Sequence, residues 1–128
     1  MPITLRDQQR LVGVHPTLVA AIRLILGELP MFVVNGVRTQ AEQAALYAQG
    51  RTTPGHIVTH CDGVTTRSNH QIHPSDRLGH AVDCAFIGPD PFAASHDWAA
   101  YGSKVQALGL IWGGSWKSIV DQPHAELP

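Results

Sequence analysis

The sequence predicts an α+β fold, a small and mostly antiparallel sheet flanked by about three helices. Three observations carry that reading. Helical periodicity is strongest early in the chain, short apolar runs are scattered later, and the two never settle into a regular strand–helix–strand alternation. At 128 residues the chain suits one domain, residues 1–128, able to bury a core without disulfides.

A short helix is expected around Thr4 to Val12. A stronger one spans residues 16 to 29, where Leu18, Ala21, Ile22, Ile25, Leu26 and Leu29 recur at helical spacing and Pro16 suits the first turn. Met31 to Val34 follows as a buried strand, closed by the Asn35-Gly36 turn. Thr39 and Glu42 form the two halves of a capping box, so a second strong helix runs from Thr39 to about Gln49 and stops at Gly50. Arg51 to Val64 reads as irregular. Ala81 to Ile87 is a strand, apolar except for Asp83. A further helix covers about Ser95 to Leu108, with Trp98, Tyr101, Val105 and Leu108 on one face and Gly109 as its stop. Leu110 to Trp112 and His124 to Leu127 complete the set as short strands.

Composition removes several function classes. The net charge is -1, from 9 basic and 10 acidic residues, and aromatics make up 6%, so neither a nucleic-acid surface nor a base-stacking platform is indicated. Arg23 and Glu28 interrupt the apolar stretch Leu18 to Leu29, which excludes a membrane span there. Arg6, Asp7 and Arg10 precede no unbroken apolar run, so no signal peptide is read and synthesis in the cytoplasm is expected, as a monomer. Cys61 and Cys84 are too few for a disulfide framework, and the sequence leaves open whether they pair.

The unusual count is eight histidines. His70, His73 and His80 fall with Asp76 and Asp83 between Ser68 and Asp83, and a second cluster is Asp121-Gln122-Pro123-His124. Asp83 lies inside an apolar strand, and burying a carboxylate unpaired costs several kcal/mol. It must therefore be exposed, paired or bound to a cation. Histidine with aspartate suits zinc, which in catalytic sites takes three protein ligands and leaves a fourth position open. A metal lowers the pKa of a water it binds to about 7, and a carboxylate such as Asp121 can take that proton.

These motifs resemble a known family. Ser68-x-His70, Gly79-x-Ala81-x-Asp83 and Asp121-x-Pro123-His124-x-x-Leu127 are similar to the zinc D-Ala-D-Ala carboxypeptidases and the phage L-alanyl-D-glutamate endolysins. Lysostaphin-type peptidases and the Hedgehog domain are more distant members of that group. Gly36-Val37-Arg38-Thr39-x-x-Glu42-Gln43, Leu46 to Thr52, Pro54-Gly55, Val58-Thr59 and Gly109-Leu110-x-Trp112-Gly113-Gly114-x-Trp116-Lys117 extend the likeness over Val34 to Leu127. The resemblance implies a Hedgehog/D-Ala-D-Ala peptidase-like fold and one zinc ion on His70, Asp83 and His124. It implies Asp121 as general acid/base, Arg38 as the group that binds substrate and the developing oxyanion, and Gln43 and Ser68 as polar groups lining the substrate site.

The chain departs from the family pattern at one place. Eight residues, Gln71 to Leu78, separate His70 from Gly79, where the family usually has two. This reads as a six-residue insertion, with Pro74 and Ser75-Asp76 as turn residues, and the place to expect a lid or specificity element. It also leaves His73, His80 and Asp76 as rivals to His70. Ser115 stands where a charged residue is common, and Ala125 where an aromatic is common. His15, His56, His60 and His96 are expected to be solvated or capping residues.

By resemblance the expected partner is the peptidoglycan stem peptide, cut in the cell wall, most readily at the L-alanyl-D-glutamate bond, by a phage- or prophage-encoded enzyme, with a lysis enzyme and a tail component that cuts the wall on entry equally compatible with the residues. Release of D-alanine by a D,D-carboxypeptidase is the alternative within the class. A zinc-binding module without catalysis is the alternative outside it, and Asp121 argues against that, since a structural site needs no base.

Overall fold

A computed structural model describes residues 3–128. Helix α1 (Leu5–Arg10) opens with a capping box made by Thr4 and Asp7. Helix α2 (Pro16–Glu28) starts on His15, whose Nδ1 accepts the Thr17 N–H. Strand β1 (Met31–Asn35) comes next, and then helix α3 (Gln40–Ala48), with the expected Thr39/Glu42 capping box. Strand β2 (Ala81–Phe86), helix α4 (Trp98–Ala107), strand β3 (Ile111–Trp112), a single 3-10 turn (Gly113–Ser115) and strand β4 (His124–Glu126) complete the order. The strands form one antiparallel sheet in the order β1-β2-β4-β3.

The core lies between the sheet and helices α2 and α4. Leu18, Ile22 and Ile25 of α2 pack with Val33, Val82 and Cys84 of the sheet and with Trp98, Tyr101 and Val105 of α4. Two expectations for α4 shift. The helix begins at Trp98, because the Asp97 side chain caps the Ala100 N–H. Leu108, one residue past the helix, is 41% exposed and does not share the buried face. His96 lies ahead of the helix and stacks on Phe86.

Strand β1 is a sheet edge, and an unpaired edge invites association. Helix α1 covers it. Buried Asp7 accepts the Val33 N–H at 2.8 Å, and Arg10 donates to the Val33 carbonyl at 2.7 Å. The sequence hinted at α1 as a helix but not at this use of it.

Register matters most for function. Asp83 of β2 lies directly opposite His124 of β4, and Asn35, just past a bulge in β1, lies opposite Asp83 on the other side. Opposed residues in an antiparallel pair sit on one face within side-chain reach. The pairing therefore joins two segments 41 residues apart in sequence (124 − 83). Cys61 and Cys84 are both free; burial raises the Cys84 thiol pKa. Among the described residues no helix is long and apolar enough to cross a membrane.

Candidate metal centre and active site

The structure brings His70, Asp83 and His124 together, with one potential ligand atom from each lying within 4.8 Å of the others. Among the described residues no other three His, Cys, Asp or Glu side chains do this. The rivals lie elsewhere. His73 stacks on His80 with ring centroids 3.7 Å apart, and His80 Nε2 pairs with Asp76 at 2.7 Å.

Each of the three is placed by a different element. Asp83 and His124 are set by sheet register. His70 sits on the turn Ser68–Gln71, where Ser68 Oγ accepts the His70 N–H at 3.2 Å and the His70 carbonyl accepts the Arg38 N–H at 2.8 Å. Gln71 is 2% exposed; its side chain accepts from Ser68 N–H and donates to the Gly63 carbonyl. The expected inserted loop is therefore shorter than Gln71 to Leu78, because Gln71 belongs to the packed turn. The rest of the loop is internally bonded: the His73 N–H donates to the Leu78 carbonyl, the Arg77 N–H to the His73 carbonyl, and the Leu78 N–H to the Asp76 carboxylate. Arg77 takes φ 61°, the left-handed conformation that closes the turn.

Hydrogen bonds outside the cluster orient the imidazoles. His70 Nδ1 lies 2.9 Å from the Gly36 carbonyl, a pure acceptor, so Nδ1 carries the hydrogen and the neutral ring presents the Nε2 lone pair inward. His124 Nε2 lies 2.7 Å from Glu126 Oε1, which by the same reasoning leaves the Nδ1 lone pair facing inward. These two inward nitrogens are 3.2 Å apart. His70 Nε2 is 3.3 Å from Asp83 Oδ2, and His124 Nδ1 is 3.3 Å from Asp83 Oδ1. With both inward ring nitrogens unprotonated, buried Asp83 Oδ1 has no hydrogen-bond donor. Lone pairs converging this closely require a cation among them, either a proton or a metal ion. Two imidazoles and a carboxylate fit zinc.

Without a metal the proton takes that place. Burial opposes a charge on His124, but hydrogen bonds to Asp83 and Glu126 outweigh it and raise its pKa to about 9. Burial likewise opposes the Asp83 charge, and His70 and His124 overcome it, holding the carboxyl well below its ordinary range.

Two further groups flank the cluster. Arg38 places one guanidinium nitrogen 3.5 Å from Asp83 Oδ2 and donates another to Gln43 Oε1 at 2.7 Å. Gln43, expected to line the substrate site, lies behind Arg38. It is fully buried, bound through its amide to Thr59 Oγ1 and the Cys61 carbonyl, so it holds Arg38 from beneath. Ser68 is half-buried, with its hydroxyl on the His70 N–H.

Asp121 Oδ2 is 3.7 Å from His124 Nδ1, and its side chain is 38% exposed, so it faces both the cluster and solvent. Burial first, and then the negative charge of Asp83, raises its pKa. Its segment is anchored at three points. The Asp121 N–H donates to the Gly113 carbonyl, Trp112 Nε1 to the Gln122 carbonyl, and the Tyr101 hydroxyl to the Pro123 carbonyl.

Gly113 allows this close packing. A Cβ there would meet the Asp121 carbonyl oxygen at 2.4 Å and the His124 Cβ at 2.9 Å. Gly113→Ala should therefore cost about 1–3 kcal/mol in thermal denaturation and should weaken metal binding, because both Asp121 and His124 must move. An alanine variant with unchanged melting and metal affinity would show that the segment yields freely.

Sequence reasoning missed Glu126 and the Gly36 carbonyl. Glu126 carried a signal, being a carboxylate two residues after His124 on one strand and so on the same face. A backbone carbonyl leaves no trace in sequence.

Known proteins share much of this chain. Residues 62–127 match a peptidase M15 family described as D-alanyl-D-alanine carboxypeptidase. The peptidoglycan L-alanyl-D-glutamate endopeptidase CwlK of Bacillus subtilis is 31% identical over 110 residues, which cover 77% of this chain and 61% of that protein. The L-alanyl-D-glutamate peptidase of Listeria phage A118 is 27% identical over 106 residues, covering 77% of this chain and 30% of that protein. The chain thus spans less than two thirds of either curated relative. The crystal structure of the Serratia marcescens L-Ala D-Glu endopeptidase ChiX superposes with a TM-score of 0.65 at 30% identity, over 100% of this chain and 90% of that one.

Proposed function

The chain belongs to the M15 peptidase family, and from that premise we propose that it is a zinc-dependent peptidoglycan peptidase that cuts the stem peptide between L-alanine and D-glutamate. The observation that carries this reading is the convergence of His70 Nε2, Asp83 and His124 Nδ1 on one point, with Asp121 and Arg38 beside it. Three relatives named for that same bond support the substrate assignment.

His70, Asp83 and His124 would hold the metal. When bound, zinc supplies Lewis acidity and lowers the pKa of a water it binds to about 7. Asp121 takes a proton from the attacking water and returns it to the leaving amine. Its raised pKa suits both halves of that transfer. Arg38, locked between Gln43 and Asp83, offers a fixed positive charge where the carbonyl oxygen becomes negative. Fixing the guanidinium beforehand removes a reorganisation cost from the reacting step. The cell wall is the place of action in this reading, and one of the relatives is phage-encoded.

One observation favours a second reading. The matching family is described by D-alanyl-D-alanine carboxypeptidase activity, which releases a terminal D-alanine instead. Purified peptidoglycan digested with the zinc-loaded protein and examined by mass spectrometry separates the two. New N-terminal glutamate is the expected product. Released D-alanine would establish the second reading. Intact peptidoglycan in the presence of bound zinc would overturn both and leave a non-catalytic module.

A further inference from the structure

We propose that Asn69 and Glu126 form a relay that fixes His124 for metal binding, which makes Glu126 a positioning residue outside the ligand set; the proposal rests on the metal reading above. Glu126 Oε1 accepts from His124 Nε2 at 2.7 Å, and Glu126 Oε2 accepts from Asn69 Nδ2 at 2.7 Å. Both carboxylate oxygens are therefore committed, and the Glu126 side chain is only 14% exposed.

The relay joins the two halves of the site. Asn69 immediately precedes His70 on the Ser68–Gln71 turn, whereas Glu126 and His124 share β4. The backbone reinforces the link, since the Asn69 carbonyl accepts the His80 N–H and the His80 carbonyl accepts the Leu127 N–H. A shift of the His70 turn would thus be felt at His124 through Glu126. A buried carboxylate on the far nitrogen does two things for a ligating imidazole. It keeps the proton on Nε2, so Nδ1 stays free for metal, and it makes that nitrogen a stronger donor. It also fixes the ring plane, which Trp116 flanks with its centroid 4.9 Å away.

Glu126 could instead be a plain structural pair to His124, and the test separates the two roles by zinc affinity. Competition with a fluorescent chelator would give the zinc dissociation constant of E126A, E126Q, N69A and the double variant E126A/N69A. Outer-sphere partners of this kind typically contribute 10–100-fold in metal affinity, so E126A should weaken zinc by about that factor. E126Q keeps an acceptor oxygen for His124 and should recover most of the loss. Because the two residues act in series, the double variant should bind no more weakly than E126A, whereas independent packing roles would add. The cobalt-substituted protein should show an altered visible absorption spectrum in E126A, reporting changed geometry at the metal itself.

Melting in EDTA controls for folding, and N69A with E126Q keeps the test decisive if E126A does not fold. Wild-type affinity in both E126A and N69A, or additive losses, would overturn the relay while the metal reading stands. A wild-type protein that binds no zinc would overturn both.

Discussion

Replacing Asp121 with asparagine should lower the rate of stem-peptide cleavage by about 100- to 10,000-fold while zinc stays bound. Asparagine has nearly the shape of aspartate but cannot accept a proton from water and pass it on. Metal loss is not expected, because Asp121 Oδ2 lies 3.7 Å from His124 and is not one of the three converging groups. Nor is unfolding expected. The segment is held by main-chain carbonyls and the Asp121 N–H, none of which the substitution touches. The sign of the pKa shift agrees: folding raises the Asp121 pKa, so the folded state disfavours its charge and removing that charge should not reduce stability. Turnover of a purified stem-peptide fragment and zinc content on the same sample provide the check. Activity within tenfold of wild type would mean that another group moves the proton.

His70→Ala should abolish zinc binding at micromolar metal and with it all cleavage, as should Asp83→Ala, whereas His73→Ala should retain both. The contrast comes from geometry, since His73 is stacked on His80 and takes no part in the convergence at Asp83. Elemental analysis of the three purified variants distinguishes them, and loss of zinc in His73→Ala would refute the ligand set. The metal-free protein should also reveal the competition between proton and metal. His124 has a folded pKa of about 9 against about 6.5 unfolded. A raised pKa stabilises the fold fully below about pH 6.5, and that contribution disappears as pH rises through about 9. In EDTA, melting temperature should therefore fall between those values, by the equivalent of up to about 3 kcal/mol. With zinc the trend should reverse, because the metal displaces the proton and binds more tightly as pH rises. A flat melting profile in EDTA would mean that no proton occupies the cluster.

Local signals in the sequence located the helices well. The Thr39/Glu42 capping box and the apolar stripe of α2 lie where they were expected, because capping and amphipathic burial depend on residues within a turn or two of each other. Asp83 was also legible as a residue needing a partner, since a carboxylate in an apolar strand has few inexpensive states. The sequence alone left His70, His73, His80 and Asp76 as rivals, because spacing along an insertion says nothing about which side chain turns inward. Tertiary structure separated them. Antiparallel register set Asp83 against His124, the Gly36 carbonyl turned His70 Nε2 inward, and Glu126 did the same for His124 Nδ1. Gln43 shows the same division: its motif pointed to the site, and the fold buried it against Arg38. The sequence by itself determined which residues have the chemistry to hold a metal and move a proton, because that is a property of side-chain type. Only the fold decided which lone pairs meet, because that depends on strand register and on hydrogen bonds between segments far apart in the chain.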